Sequence, residues 1–289
     1  MRDTLQRFLF EHVPVRGEFV HLDATWQAVL ERHDYPPLLR DVLGELMVAS
    51  ALLAATLKFE GSVILQLHGS GPVSLVVAEC TSDTTLRATA KWSGEIPAGN
   101  LPSLLGNGRF AITLVPREAG QTYQGIVDLR GGTVAACLEH YMQHSEQLDT
   151  RLWLAADERR AAGVLLQQLP GPSDADPDDW HRIVQLAGTL SRQELLDLPP
   201  ETLLYRLFHE DDVRVFEPRI TAFRCSCSKQ RVVSMLRMLG QKEVRSIIDE
   251  RKSVDVQCEF CGKAYSFDAV DAEQLFAADT LAQAQRTQH

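Results

Sequence analysis

Four of the six cysteines in the chain lie in two short stretches near its carboxy terminus. Cys225 and Cys227 form a C-x-C pair, and Cys258 and Cys261 form a C-x-x-C pair after thirty intervening residues. Thiolates are ligands that zinc takes in closed tetrahedral sites, with sulfur about 2.3 Å from the metal. The pattern therefore indicates a zinc site built from these four side chains.

The residues between the two pairs read as two helices that could carry one pair back beside the other. The first, Ser228–Leu239, ends at Gly240, a residue typical of helix C termini, and the second is Gln241–Arg251. Apolar and polar residues alternate on both sides of the C-x-x-C pair, so Cys258–Gly262 is predicted to form the turn of a hairpin. A thioredoxin-like enzyme would instead place this motif at the start of a helix.

Two interpretations of the four cysteines compete. A purely structural module is the plainer one, because a four-thiolate site is usually closed and leaves no coordination position for a substrate. Against it, the C-x-C spacing is tighter than the usual spacer of about two to four residues, and each pair is close enough to form its own disulfide. The segment from Arg224 to Lys263 also holds nine Lys or Arg and five Asp or Glu, and this positive field favours reactive thiolates.

The relevant free energies favour a redox switch. Structural zinc contributes about 10–16 kcal/mol of apparent folding free energy to small peptides. Disulfides within the two neighbouring pairs would supply only about 3 kcal/mol of local restraint in its place. They would also leave the thirty-residue connection untethered. Oxidation is therefore predicted to unfold the module, which would then act as an oxidant-triggered release.

The first long section of the chain mixes helices with adjacent strands, which indicates an α+β fold with a sizeable sheet. The predicted elements are, in chain order, a buried helix over Pro36–Lys58, strands Val63–His68 and Val73–Glu79 joined by a Gly69–Pro72 turn, a strand "TLRATAKW", a hairpin signalled by Asn107 and Gly108 with the return strand "QTYQGIVDL", and helices over Thr133–Gln147 and near Asp157–Leu169.

A proline- and aspartate-rich stretch, Pro170 to Trp180, is typical of a domain boundary. Beyond it lie three short amphipathic segments: Trp180–Leu190, Ser191–Leu198 with a capping box from Ser191 to Glu194, and Pro200–Glu210. Isolated helices of this length are marginal in water. We therefore expect an amino-terminal α+β domain over 1–172, a metastable helical linker over 173–224 and a small zinc-binding redox-switch domain over 225–289.

Composition excludes several classes of protein. The formal net charge of −10 and the pI near 5.4 argue against a protein whose main task is to coat nucleic acid. The longest apolar run, Leu46 to Leu57, contains Ser50 and is shorter than the roughly 18 residues of a membrane span. The first residues lack the pattern of a signal peptide. We expect a cytoplasmic protein, in a compartment that keeps thiols reduced.

Other reactive residues give weaker signals. Cys80 and Cys137 stand apart from the cluster and are interpreted as buried small apolar residues. His140 and His144 have a spacing that can bind zinc, but they lack the internal glutamate of H-E-x-x-H proteases, so a solvated helix face is favoured. Gly106 to Gly108 lacks the flanking residues of a phosphate-binding loop. No catalytic constellation is identified, and we do not expect an enzyme.

The motifs together resemble a known family. "CSC" followed after thirty residues by "CEFCG" is similar to the zinc signature of the bacterial thirty-three-kilodalton redox-regulated heat-shock chaperone (chaperonin) family. The stretch "HLDATWQAVLERHDYPPLLRDVLGELMVASALLAATLKFEGSVILQLHGSGPVSLVVAE" resembles its amino-terminal domain. "YQGIVDL", "LEHYMQHSEQLDT" and "ELLDLPPETLLYRLFHEDDVRVFEP" resemble its later parts and its linker. The likeness runs essentially end to end, and no position departs from the zinc motif.

The resemblance implies a stress-response holdase that needs no ATP. In the reduced, inactive state, Cys225, Cys227, Cys258 and Cys261 would bind zinc. Oxidants such as peroxide with heat, or hypochlorite, would form Cys225–Cys227 and Cys258–Cys261 disulfides and expel the metal. The linker would then lose structure, and the active protein would form a homodimer and hold unfolding client proteins. From the residues alone, all three pairings of the four cysteines stay open.

Three other functions remain as alternatives. A nucleic-acid-binding zinc protein fits the positive charge around the cysteines, but whole-chain acidity and the presence of only Phe260 and Tyr265 for base stacking weigh against it. A thiol–disulfide oxidoreductase using Cys258 and Cys261 conflicts with the predicted hairpin. A zinc hydrolase is the weakest alternative, because four thiolates leave no open ligand position.

Overall fold

A computed structural model describes residues 3–58, 60–118, 120–129, 131–170 and 177–276. The chain divides into two compact units. Met1–Arg224 forms the amino-terminal unit, and Cys225–His289 forms what we call the cysteine module. Helices and strands are mixed throughout, which confirms the α+β class. No helix in the described ranges is both long and apolar enough to cross a membrane.

The amino-terminal unit holds most of the secondary structure. Its elements are, in chain order, β1 (Thr4–Phe10), β2 (Val15–Leu22), α1 (Ala24–Leu30), α2 (Pro37–Thr56), β3 (Gly61–His68), β4 (Val73–Thr81), β5 (Thr85–Trp92), α3 (Leu101–Leu105), β6 (Arg109–Pro116), β7 (Tyr123–Asp128), α4 (Val134–His144), β8 (Thr150–Ala156), β9 (Ala161–Gln168), α5 (Pro177–Ala187), α6 (Arg192–Asp197), α7 (Pro200–Phe208), β10 (Val213–Val215), β11 (Arg219–Ile220) and β12 (Ala222–Phe223).

The central helix α2 organises this unit. It begins with Pro37 in its first turn, where the missing N–H of proline costs nothing, and it is buried along most of its length. It packs against strands of both large sheets, and their apolar side chains form one continuous core with it. Gly44 permits close approach, because a Cβ there would lie 2.4 Å from the Cβ of Ala156. The buried helix predicted over Pro36–Lys58 is confirmed.

The first sheet has the strand order β10-β1-β2-β9-β8, with β11 also paired to β1. In β9, Ala161 and Leu165 join the core around α2, whereas Val164 and Leu166 on the opposite face pack beneath α5, α6 and α7. The helix predicted near Asp157–Leu169 is therefore wrong. A strand buried on both faces is apolar at every position, so its Ala- and Leu-rich sequence does not alternate and resembles a buried helix.

The second sheet has the order β12-β5-β4-β3-β6-β7. The predicted strands at Val63–His68, Val73–Glu79 and "TLRATAKW" are confirmed as β3, β4 and β5. The hairpin signalled by Asn107 and Gly108 is corrected: these residues lead from α3 into β6, and the β6–β7 connection lies at residues 117–122. Asn100 and Ser103 form a capping box that starts α3, so the chain before Asn107 is helical and not a strand.

The first two strands, β1 and β2, have no counterpart in the sequence predictions. They pair antiparallel along six positions, and both of their faces are covered. The helix predicted over Thr133–Gln147 is confirmed as α4, whose N-cap Thr133 accepts a hydrogen bond from the backbone N–H of Ala136.

The three short helices of the predicted linker are confirmed as α5, α6 and α7. The Ser191 hydroxyl accepts from the N–H of Glu194, whose carboxylate accepts from the N–H of Ser191, so the predicted capping box is formed. These helices cover a cluster on β1 and β2 that includes Phe8, Phe10 and Phe19. Residues 171–176 of the predicted boundary lie outside the described residues. The three-part division at 172/173 and 224/225 stays a prediction.

The cysteine module contains α8 (Lys229–Leu239), α9 (Gln241–Arg251), β13 (Val254–Gln257) and β14 (Ala264–Phe267), and residues 269–276 are also helical. Both predicted helices and the predicted hairpin are therefore confirmed. The apolar faces of these elements meet in a small core around Leu236, Val244 and Phe267.

Candidate metal centre

The four cysteines lie on two loops of the cysteine module. Cys225 and Cys227 precede α8, and Cys258 and Cys261 lie in the turn between β13 and β14. Antiparallel pairing of β13 with β14, from Val254 opposite Phe267 to Gln257 opposite Ala264, fixes the second loop. The fold therefore brings together the four residues that the sequence predicted as one group.

The sulfur atoms form a compact group. All four Sγ atoms lie within 4.8 Å of one another. The Sγ atoms of Cys225 and Cys258 are 3.6 Å apart, and those of Cys227 and Cys261 are 3.4 Å apart. Sulfurs about 2.3 Å from a tetrahedral zinc ion would be separated by about 3.8 Å. The arrangement fits a four-thiolate metal site, so the group can hold a metal ion.

The serine inside the C-x-C pair contributes to the shape of the first loop. Arg231 donates from Nη1 to the Ser226 hydroxyl at 2.6 Å, and its backbone N–H donates to the hydroxyl of Ser228, the N-cap of α8. One residue in the first turn of the helix thus holds serines on both sides of Cys227. These bonds restrict the direction in which the Cys227 thiol leaves the backbone.

The second loop is a tight turn with backbone hydrogen bonds. The N–H of Cys258 donates to the carbonyl of Lys263 at 2.9 Å, and the N–H of Gly262 donates to the carbonyl of Cys258 at 2.8 Å. Gly262 has a φ of 71°, in the left-handed region that favours glycine, while a Cβ there would make only an ordinary contact, 3.7 Å from the Gln257 Nε2. The glycine is therefore required by backbone conformation and not by crowding.

The thiols of the cluster have unequal acidities. Burial tends to raise the pKa of Cys227, but hydrogen bonds from the Tyr265 hydroxyl and the neighbouring thiols outweigh it and lower the pKa to about 7. Burial raises the pKa of Cys225, and burial together with the neighbouring thiols raises that of Cys261 to about 12. The expected preference for thiolate is thus met at Cys227 but not at Cys225 or Cys261.

Tyr265 is a site residue whose role the sequence analysis missed. Its hydroxyl donates to the Cys227 sulfur at 3.2 Å, and Lys263 lies 5.3 Å from its ring centroid. The hydrogen bond to Cys227 is the main cause that raises the pKa of Tyr265 to about 12. Tyr265 lies four residues after Cys261 in an alternating strand, and this position predicts that its side chain points inward. The sequence does not predict that its hydrogen-bond partner is Cys227.

The other reactive residues lie apart from this site. Cys80 on β4 and Cys137 on α4 are fully buried, as predicted, and burial raises the pKa of Cys80 to about 12. His140 and His144 stack with ring centroids 4.0 Å apart. Across the described part of the chain, the four cysteines are the one group of His, Cys, Asp or Glu side chains arranged to hold a metal ion.

Comparison with known proteins identifies the class to which this fold and site belong. The family described as "Hsp33 protein" matches residues 3–268. The chain therefore belongs to the Hsp33 family.

Individual relatives agree with this assignment. The 33 kDa chaperonin of Methylobacillus flagellatus is 54% identical over 281 residues, which cover 96% of each chain. That of Chromobacterium violaceum is 51% identical over 289 residues, covering 99% of this chain and 98% of the relative. The crystal structure of the 33 kDa chaperonin from Thermotoga maritima matches with a TM-score of 0.84 at 23% identity, covering 96% of this chain and 99% of that one. The structural match supports the fold.

Proposed function

We propose that this protein is a redox-regulated, ATP-independent holdase chaperone of the cytoplasm. In the reduced state, Cys225, Cys227, Cys258 and Cys261 bind zinc, and the protein is inactive. Oxidation forms disulfides, zinc leaves, and the linker loses its helical structure. The oxidised protein forms a homodimer and binds unfolding client proteins, which prevents their aggregation. It is not an enzyme.

The observation that carries the proposal is the four-sulfur cluster, in a chain whose relatives are named 33 kDa chaperonins. Zinc bound there would hold the sulfurs as thiolates and link the loop before α8 to the β13–β14 turn. The small core of the module supports a dependence on such a link, because few apolar side chains remain to stabilise it without the metal.

The redox step balances with peroxide as the oxidant. Each pair of thiolates loses two electrons as a sulfur–sulfur bond forms, and one hydrogen peroxide takes up these electrons together with two protons from the solvent, giving two water molecules. We propose Cys225–Cys227 and Cys258–Cys261 as the bonds. Each disulfide removes two thiolate ligands, so the site loses its affinity for the metal.

The linker helices offer a client-binding surface once they lose structure. Helices α5, α6 and α7 contain 11, 6 and 9 residues, lengths at which isolated helices are marginal in water. They bury apolar residues against the first sheet, as in the edge-to-face contact of Phe208 with Phe10 at 5.0 Å between ring centroids. Their unfolding would expose both surfaces, and contiguous exposed apolar patches are typical of interaction sites.

The experiment that tests the proposal follows light scattering by a thermally unfolding client. The protein is added either reduced and zinc-loaded, or after peroxide at mild heat, while released zinc is measured. We expect suppression only by the oxidised form, reversal by reductant, and zinc release in parallel with activation. Equal inactivity of both forms with zinc retained would reduce the cluster to a structural module.

Matched variants separate the cluster from other thiols. Cys258→Ala should abolish zinc binding and the redox response, whereas Cys80→Ala, at a buried position on β4, should keep both. Peptide mapping under non-reducing conditions identifies the bonds. Linkages between Cys225 and Cys258, whose sulfurs are 3.6 Å apart, or between Cys227 and Cys261 would contradict the proposed neighbouring pairs.

A further inference from the structure

Helix α6 carries terminal charges that oppose its own dipole. It begins at Arg192 and ends at Asp197. The backbone of a helix presents partial positive charge at its N terminus and partial negative charge at its C terminus, so a cation is unfavourable at the first position and an anion at the last. Glu194 and the capping box favour the helix, but with only six residues it has little intrinsic stability.

Each reversed charge is neutralised by a residue outside the linker. At the N-terminal end, Arg192 forms an ion pair with Asp41 of α2 at 3.0 Å, and its guanidinium donates to the carbonyl of Ala156 at the end of β8. The Arg192 side chain is half exposed, so this pair is partly screened by solvent.

The C-terminal end is held more deeply. Arg160, in the turn between β8 and β9, is 9% exposed. Its Nη1 lies 2.8 Å from the Asp197 carboxylate and donates to the Leu196 carbonyl at 2.9 Å. The Nε2 of buried His21 lies 2.9 Å from the same carbonyl. Because a carbonyl oxygen can only accept a hydrogen bond, Nε2 is the His21 nitrogen that carries the hydrogen. The Leu196 carbonyl at the helix end, which the helix cannot satisfy, thus receives two buried donors.

We infer that Arg160 and Arg192 are positioning residues that make the helical state of α6 conditional on its docking against the first sheet. Docked, both reversed charges have partners and the terminal carbonyl is satisfied. Undocked, Arg192 and Asp197 oppose the helix dipole, and the six-residue helix melts. Burial of Leu195 and Leu196 also contributes to docking. Unlike the two reversed charges, these leucines do not destabilise the undocked helix.

Arg160 and Arg192 hold the linker in the reduced protein. The consequence of this docking for chaperone activity rests on the proposed function, whereas the docking itself does not. The two are therefore measured separately, on the full-length, reduced and zinc-loaded protein.

The first measurement is amide hydrogen exchange across α6, compared with α2 as an internal reference. Arg160→Ala should speed exchange in α6 by about tenfold or more, because a buried charged donor is lost. Its matched control is Arg159→Ala, since Arg159 is an exposed neighbour in the same turn. Unchanged exchange in α6 of a folded Arg160→Ala protein would overturn the inference.

A second pair of variants guards against misfolding at the buried site. Arg192→Ala should speed exchange in α6 by about threefold, and Arg192→Lys, which keeps the charge, should restore protection. Raising the salt concentration from about 0.05 M to about 0.5 M should loosen α6 in the unmodified protein and have less effect in Arg192→Ala. A merely steric role predicts no salt dependence and no rescue by lysine, and either result would overturn the inference.

Measurements of client aggregation distinguish the positioning role from the proposed holdase function. If the holdase proposal holds, Arg160→Ala should suppress client aggregation without oxidation while its zinc content stays unchanged. Faster exchange in α6 without any activity, in the reduced or the oxidised state, would leave the positioning role intact and contradict the proposed function. Slow exchange in α6 of Arg160→Ala, together with normal activation by oxidation, would contradict the positioning role and leave the proposed function intact.

Discussion

The amino-terminal unit and the cysteine module differ in how deeply their cores are buried. In the larger unit, side chains such as Leu46, Leu65 and Phe110 are completely inaccessible to solvent. In the cysteine module, core residues such as Val232 and Phe276 keep 8–9% exposure, and the fully buried positions are few. The larger unit thus has a core that can stabilise it alone, and the smaller one has a thin core beside a four-sulfur site.

The difference explains where a chemical signal can act. Small domains bury little apolar surface, so a disulfide, a metal or a partner often supplies part of their stability. Under the proposed function, a change at the four sulfurs would therefore decide whether the cysteine module is folded. The core around α2 is larger and more deeply buried, so it can stay folded without a metal. Under the proposed function, oxidation would act on the cysteine module and on the marginal linker helices, while the core around α2 stays folded.

The largest expected effect comes from removing the metal. In the reduced protein, a strong chelator should unfold the cysteine module, with a loss on the order of 10 kcal/mol of apparent stability, while the core around α2 stays folded. Amide exchange measured for both units checks this. Continued protection of α8 and α9 after complete loss of zinc would show that the thin core suffices, and the comparison would fail.

Truncation of a core side chain should destabilise the amino-terminal unit and leave the cysteine module unchanged. Phe110→Ala, on β6, is expected to lower the free energy of unfolding of the amino-terminal unit by about 3–5 kcal/mol and leave the zinc content unchanged. All four tryptophans precede residue 225, so tryptophan fluorescence during urea unfolding reports this unit alone. Ile126→Ala, at an exposed position of β7, is the control and should change the free energy little. Zinc loss in Phe110→Ala would contradict the expected independence.

The two units should also respond to pH in opposite directions. Burial raises the pKa of Glu18 to about 7, against partial compensation by Arg7 and Arg16. Between pH 4.5 and 7, the folded unit keeps a proton that the unfolded chain releases, so Glu18 lowers stability as pH rises, by about 3 kcal/mol in all. Metal binding requires deprotonated thiols, so the cysteine module should instead lose zinc as pH falls.

Glu18→Gln tests this pH dependence. The difference in unfolding free energy between the variant and the unmodified unit, measured by urea titration at several pH values, should grow from pH 4.5 to pH 7 and then level off. Glu45, whose pKa burial likewise raises to about 7, should retain its own contribution in the variant. A difference independent of pH would show that Glu18 is ionised in the folded protein throughout this range.

The sequence alone determined the elements whose signals are local. The capping box at Ser191 and Glu194, the glycine at the end of α8 and the proline in the first turn of α7 each act within one helical turn, so the sequence predicts these helices correctly. The four cysteines were also found from spacing, because a metal site restricts both residue type and separation.

Tertiary structure decided the features that arise only when two elements pack against each other. The sequence of strand β9 predicts a helix, because layers on both of its faces make every position apolar and remove the alternation that marks a strand. The hydrogen bond from Tyr265 to Cys227 and the contact of Arg160 with α6 join residues 38 and 36–37 positions apart. No local pattern encodes such partners, since they are chosen by strand register and helix docking, which only the packed chain fixes.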